Sequence, residues 1–328
     1  MAEDRTGAEI GIQLAVLSVV EHCPGAKILI YRPRSAPGFA EWIAAQPDCE
    51  LIETTLPGAN NWNCKPQALL ESLSHAEEGS QVVWLDSDLI VTADLAKLLA
   101  RESHETLAIT QEPQSASHQG SEIRTRGWGL EVGRAFPETF NSCVVRTTHH
   151  HIPLLQHWQS LLADPVYLQR APEKVEQKPP HLWSDQDVLG ALLGSALYQQ
   201  IPIRLLRHGT EILHTGGGLA FTLGERLGSL FRPLPPVLHA IGVKPWVLLG
   251  SGNREPGWFP WFRRLMQETS QYVIHVRRYR GPLQDPLPWT TVSTPLGRVV
   301  NLLSFGHWAL RGLPITLACR LIRLFRAF

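Results

Sequence analysis

Apolar residues in this chain recur in short blocks separated by polar, proline- and glycine-bearing stretches. From Ala8 to His22, Ile12, Ala15, Val16, Val19 and Val20 fall on one helical face, and Pro24-Gly25 stops the run. Lys27 to Arg32 and Glu50 to Leu56 read as strands, with a short helix from Phe39 to Ala45 between them. Pro57 to Asn61 is a loop, and Pro66 to Ser74 a helix with proline in its first turn. Val82 to Leu85 is too short for a typical helix and rich in β-formers, which predicts a strand buried on both faces. A helix from Ala93 to Ala100 and a strand from Thr106 to Thr110 follow. Gln111 to Arg134 reads as a long loop, Thr139 to Arg146 as a strand interrupted by Asn141 and Ser142, and His149 to about Leu162 as a helix. Beyond a charged loop at Arg170 to Pro180 come a helix from Val188 to Leu197, a strand from Pro202 to Leu206 and a turn at His214 to Gly218. This alternation predicts an α/β fold with right-handed crossovers and a mostly parallel sheet.

The block at Gln81 to Val91 carries two carboxylates, Asp86 and Asp88, directly after the buried strand. Acids beside a buried strand need a partner. Residues i and i+2 of an extended segment point the same way, so one divalent cation can meet both. Spacing alone is weak: such a pair arises about once by chance in a chain this long, and a second stands at Asp185 and Asp187. A solvated turn is the alternative. The second informative block, His239-Ala-Ile-Gly-Val-Lys-Pro-Trp246, offers an imidazole, a glycine that permits close backbone approach, and a lysine that can face phosphate.

Composition narrows the setting. Of the 328 residues 44% are hydrophobic, enough for a sizeable core, and the formal net charge is zero, which gives no pull toward nucleic acid. Five scattered cysteines without a C-x-x-C argue for reduced thiols in a cytoplasmic setting. The acidic Glu3, Asp4 and Glu9 against Arg5 argue against a secretory leader ahead of the apolar run at Ile10 to Val20. No run approaches the roughly 18 apolar residues of a spanning helix. His149-His150-His151 cannot share one helix face and reads as a solvated helix start. After Asp285 no acid occurs, while Arg298, Arg311, Arg320, Arg323 and Arg326 are basic. Leu317, Leu321, Leu324, Phe325 and Phe328 would form one helical stripe, suited to an anionic membrane surface or to packing on the domain.

The order of these motifs resembles a family. Trp84-Leu-Asp-Ser-Asp-Leu-Ile-Val91 resembles the D-x-D strand of nucleotide-sugar-dependent glycosyltransferases of the GT-A fold. His239 to Trp246 resembles the H-x-x-G-x-x-K-P-W signature of the retaining family 8 enzymes, Phe140-Asn141-Ser142 their F-N-S-G strand, and Asp185-Gln186-Asp187 their D-Q-D. Lys65 stands where that family often has a lysine. The resemblance covers roughly Ala8 to Trp246 and implies a three-layer α/β/α fold over residues 1–252, with residues 253–328 as a basic helical extension. It implies that Asp86, Asp88 and His239 hold Mn²⁺ or Mg²⁺, and that Lys65, Asp86, Gly242 and Lys244 serve the donor diphosphate. Asn141, Asp185 and Gln186 would face the transferred sugar and acceptor. The implied activity moves a hexose, with a UDP-sugar favoured as donor, to a glycan, lipid or protein acceptor.

The sequence also departs from that pattern. Val243 alone separates Gly242 from Lys244 where the family usually has two residues, which would alter the lysine's reach. Cys143 replaces a glycine, and only Met1 to Thr6 precede the first helix where the fold normally has a strand that seats the base. A start upstream of Met1, altered base binding, or a non-catalytic nucleotide-sugar-binding protein would each fit that departure. A sugar-phosphate nucleotidyltransferase would need a glycine-rich phosphate loop that Met1 to Leu14 lacks. Ser184 to Asp187 also fits a helix capping box, and Lys65 a surface lysine, neither of which needs a substrate.

Overall fold

The computed structural model describes residues 1–3, 7–33, 35–54, 63–112, 121–215, 223–249, 258–283, 288–291 and 294–311, with 313, 317 and 321. Among the described residues, nine strands run in chain order: β1 (Ile28–Arg32), β2 (Cys49–Glu53), β3 (Val82–Leu85), β4 (Leu89–Val91), β5 (Leu107–Gln111), β6 (Phe140–Thr147), β7 (Ile203–Leu206), β8 (Ile212–His214) and β9 (Val237–His239). The chain separates into two units. The first comprises Met1–Ile12, Cys23–Ser87 and Leu95–Arg207; the second comprises Gln13–His22, Asp88–Asp94 and His208–Phe328.

The first unit carries a parallel pair, β1 and β2, and a four-stranded sheet in the order β3-β6-β5-β7. Ala2 bridges Tyr31 in parallel, so the first three residues lie beside β1. The expected α/β architecture is present, but the pairing is mixed. Strand β6 runs antiparallel to both β3 and β5, and only β5–β7 is parallel in that sheet. Apolar alternation marks a strand without encoding its direction, which is why the mostly parallel expectation needs this correction. Leu69 and Leu73 from the helix Lys65–Ser74 join Leu155 and Trp158 from Ile152–Leu162, and Leu189 and Leu192 from Asp185–Leu193. They pack with Trp84, Ile109 and Val145 of the sheet in one core. Each such side chain contributes about 1.5–3 kcal/mol relative to exposure.

One feature of this sheet positions chemistry. Ile109 pairs with Val145, but the next residue, Thr110, pairs with Asn141. Ser142 to Val144 therefore bulge out of the β5–β6 ladder, while Val144 stays paired with Leu85 of β3, and such a bulge re-aims the side chains around it. The strand is not interrupted at Asn141, which pairs with Thr110; the irregularity begins at Ser142, and all eight residues of β6 are buried.

The second unit holds a three-stranded sheet, β4-β9-β8, with β4–β9 antiparallel and β8–β9 parallel. The apolar stretch from Gln81 to Val91 is thus two strands in two sheets, broken at Asp86 to Asp88. Tyr272, Val273 and Val276 of the helix Gln271–Val276 are buried, and Leu265 and Val300 form a smaller cluster with Phe262 and Met266.

Three sequence readings change. His151 is fully buried rather than solvated, with Thr148 N–H donating to its Nδ1 and Glu105 O facing its Nε2. A short helix, Glu122–Gly127, lies within the stretch read as a long loop, and another, Pro165–Arg170, takes in the first residue of the stretch read as a charged loop. Cys23, Cys64 and Cys143 are buried and Cys49 is half-buried; Cys319 lies outside the described residues. Of the C-terminal stripe, Leu317 and Leu321 are exposed, while Leu324, Phe325 and Phe328 lie outside the described residues. Among the described residues, no helix is long and apolar enough to cross a membrane.

Candidate functional site

In the first unit the β6 bulge and two helix starts converge five of the predicted residues. Lys65 begins the helix Lys65–Ser74 and is buried, not a surface lysine. Its Nζ donates to Ser142 Oγ at 2.7 Å and lies 3.1 Å from Asp86 Oδ1 and 3.2 Å from Asp185 Oδ2. Burial alone would discharge the amine; Asp185 and Asp86 outweigh it and hold the pKa above the ordinary lysine value. Asp86 continues the β3 ladder, its N–H donating to Cys143 O in the bulge, and its carboxylate accepts the Trp84 indole N–H at 2.6 Å. Ser142 Oγ donates to Asp185 Oδ2 at 2.6 Å, and the Trp158 indole donates to the Asp185 carbonyl.

The two predicted amides share a partner that the sequence did not reveal. Glu112, a buried residue at the end of β5, accepts from Asn141 Nδ2 at 2.8 Å and Gln186 Nε2 at 3.2 Å. Asn141 Oδ1 accepts from Cys143 N–H, and Gln186 Oε1 from Ser142 N–H. Both amides are thereby fixed in orientation. The side chains 29 and 74 residues from Glu112 that bond it carry no local signal in its polar loop.

Asp187 belongs to a different arrangement. Arg124 Nε donates to it at 2.6 Å, and Ser184 Oγ donates to its other oxygen at 2.6 Å. The capping box is therefore altered: Ser184 sits at the N-cap but spends its hydroxyl on the Asp187 carboxylate, making no side-chain bond to the backbone. Burial raises the Asp187 pKa despite Arg124 and Ser184. Trp183 lies under the Arg124 guanidinium at 5.2 Å.

In the second unit strand register does the positioning. Leu89 pairs with His239 and His214 with His239 across the three strands, and Ala240 N–H donates to Asp88 O. Asp88 Oδ1 lies 3.4 Å from His239 Nε2, and both side chains are buried, so a carboxylate and an imidazole stand within reach of one ion. Lys244 Nζ donates to Asp88 Oδ2 and to Ala240 O. The shorter Gly242–Lys244 spacing still lets the lysine reach this carboxylate. Burial favours a neutral Asp88, but His239 and Lys244 prevail and hold its pKa below the usual carboxylate range. Gly242 turns the chain at φ +80°, and a Cβ there would meet open space. His214, read earlier only as part of a turn, shares a hydrogen bond with His239. Trp246 packs against Tyr272 and Trp289.

The architecture has counterparts among solved structures. The bifunctional glycosyltransferase WbbM, in its apo form, superposes with a TM-score of 0.50 at 14% identity, over 84% of this chain and 50% of its own. The fold is that of a GT-A glycosyltransferase. The galactosyltransferase LgtC, solved with donor and acceptor sugar analogs, is 17% identical over 85% of this chain and 98% of its own, with a TM-score of 0.47. GlyE of Streptococcus pneumoniae is 18% identical over 86% of this chain and 62% of its own, with a TM-score of 0.45. The chain thus spans half the length of WbbM. No family model and no curated protein matches the sequence. Within the GT-A fold, the order of the sheet β3-β6-β5-β7, with β6 reversed, places the Ser142–Val144 bulge beside the end of β3, where Val144 pairs with Leu85.

Proposed function

We propose that this chain is a metal-dependent glycosyltransferase that moves a hexose from a nucleotide diphosphate sugar, a UDP-sugar by preference, to a sugar-bearing or other hydroxyl acceptor. The GT-A fold supports sugar transfer, and the motif order supports the retaining family 8 type. The observation that carries the reading is the buried Asp88–His239 pair with Lys244 on the same carboxylate. The transferase domain would run from Met1 to about Gly252, with residues 253–328 as its extension; attachment of that extension to an anionic membrane surface rests on the C-terminal stripe of the sequence alone.

The donor set suits a hard divalent ion. Asp88 and His239 offer oxygen and nitrogen, Asp86 follows one residue away in the chain, and a lysine ammonium already stands in as the cation at Asp88. Bound by Asp86, Asp88 and His239, Mn²⁺ or Mg²⁺ would supply positive charge to the departing diphosphate. The remaining work falls to side chains. Lys244 brings a flexible ammonium to the phosphates, and the Gly242 turn lets backbone N–H groups approach them without a Cβ in the way. Asp185, held by Lys65 and Ser142, contributes a fixed negative charge toward the oxocarbenium-like sugar. Asn141 and Gln186, set by Glu112, present oriented amides to sugar or acceptor hydroxyls.

The test is turnover of a panel of nucleotide sugars with Mn²⁺, with and without excess EDTA, by wild type and Asp88→Ala. Donor consumption that disappears in EDTA and in the variant is expected. Full activity under either condition would reject the reading. UDP binding with no turnover of any donor would instead identify a non-catalytic nucleotide-sugar-binding protein.

A further inference from the structure

The parallel register of β8 and β9 sets two buried imidazoles against each other. His214 and His239 are 2% and 4% exposed, and their Nδ1 atoms lie 2.8 Å apart. Their rings meet edge to face at 5.0 Å between centroids. The ring of His208 stacks on His214 at 5.4 Å, and the His214 backbone N–H donates to His208 Nδ1, which anchors the His208 ring against that of His214. A bond between two Nδ1 atoms contains one proton, and its location fixes the tautomer of both rings.

We propose that His214 is a positioning residue that sets the tautomer of His239, so that His239 Nε2 presents its lone pair to the divalent cation. The proposal rests on the metal reading above. Ligation through Nε2, the atom facing Asp88, requires the His239 proton to sit on Nδ1. The atom that must accept it is His214 Nδ1, which places the His214 proton on Nε2. When Nε2 of His239 instead donates to Asp88, the shared proton belongs to His214 Nδ1. The two rings exchange these arrangements together, and no net proton is gained or lost. An ordinary metal-bound histidine gives its second N–H to a carboxylate or carbonyl; an imidazole partner can take either role in the bond.

Three proteins and two readouts test this. Calorimetry of Mn²⁺ binding in the presence of UDP is expected to show affinity weakened roughly tenfold or more in His214→Phe, which keeps a ring and lacks the acceptor. His214→Asn places Oδ1 where Nδ1 was and is expected to restore affinity. In the wild-type protein with Mg²⁺ and UDP, ¹⁵N spectra are expected to show His239 protonated at Nδ1 and His214 protonated at Nε2. Unchanged affinity in His214→Phe, or an unprotonated His239 Nδ1 in the loaded wild type, overturns the role of His214 while leaving the metal site standing. Absence of Mn²⁺ binding by wild type overturns the metal reading and this inference with it. The spectra need no variant, so they decide the matter even if His214→Phe does not fold.

Discussion

Lys65 and Lys244 each neutralise an aspartate, but in opposite surroundings. Lys65 is 3% exposed at its side chain and is bound by Asp86, Asp185 and Ser142 at once. Lys244 is 17% exposed at its side chain, reaches Asp88 from beyond a glycine turn, and also donates to the Ala240 carbonyl. The first charge is locked into the fold; the second can leave. The proposed function gives them different work. In it, a lysine whose removal strands two carboxylates maintains the shape of a site, whereas one on a flexible, partly exposed stem changes partners when an anion arrives.

The largest expected effect tests the locked side. Lys65→Met leaves Asp86 and Asp185 without their cation and should lower unfolding free energy by about 3–5 kcal/mol in urea titrations. Lys244→Met should lower stability far less, while reducing donor turnover by roughly 10²–10³-fold. Equal stability losses in the two variants would erase the contrast.

His151 extends the test to pH. Desolvation by burial pushes its pKa down to about 4, the largest of several influences, against an ordinary 6.5. A depressed histidine stabilises the fold while it is neutral. That stability is complete above pH 6.5 and is lost as pH falls from 6.5 toward 4, by an amount on the order of 2–3 kcal/mol. Chemical denaturation at stepped pH should show this slope, and His151→Asn should flatten it while lowering stability at neutral pH. A slope unchanged in the variant would mean that His151 is not its source.

The smallest effect belongs to the open side. Gly242→Ala should cost about 1–2 kcal/mol, because alanine at φ +80° is strained while the space around it is free. A much larger loss would show that the turn is packed rather than open.

Much of this was legible in the sequence, and the exceptions have physical reasons. Short apolar blocks with β-formers located β1, β2, β3 and β5 to β7, although the burial on both faces expected of β3 is only partial: Trp84 is buried while Val82, Val83 and Leu85 are half-buried. The same blocks could not show that β6 is reversed, or that β3 and β4 enter different sheets at Asp86 to Asp88. Direction and sheet membership come from long-range pairing. The motifs at Asp86, Asp88, His239 and Lys244 were readable because their residue types suit one chemistry. The positions of Lys65, Asn141, Asp185 and Gln186 in one network required the bulge at Ser142 to Val144, which no local pattern announces. Glu112 and His214 were missed for a related reason: a lone acid in a polar loop and a histidine before glycines acquire meaning only from their partners.

Anomalous diffraction from crystals grown with Mn²⁺ and UDP addresses the central claim most directly. A manganese peak at bonding distance from the Asp86 and Asp88 carboxylates and His239 Nε2, with Lys244 turned from Asp88 to a phosphate, is the predicted result. UDP bound with no manganese at His239, and Lys244 still on Asp88, would contradict it.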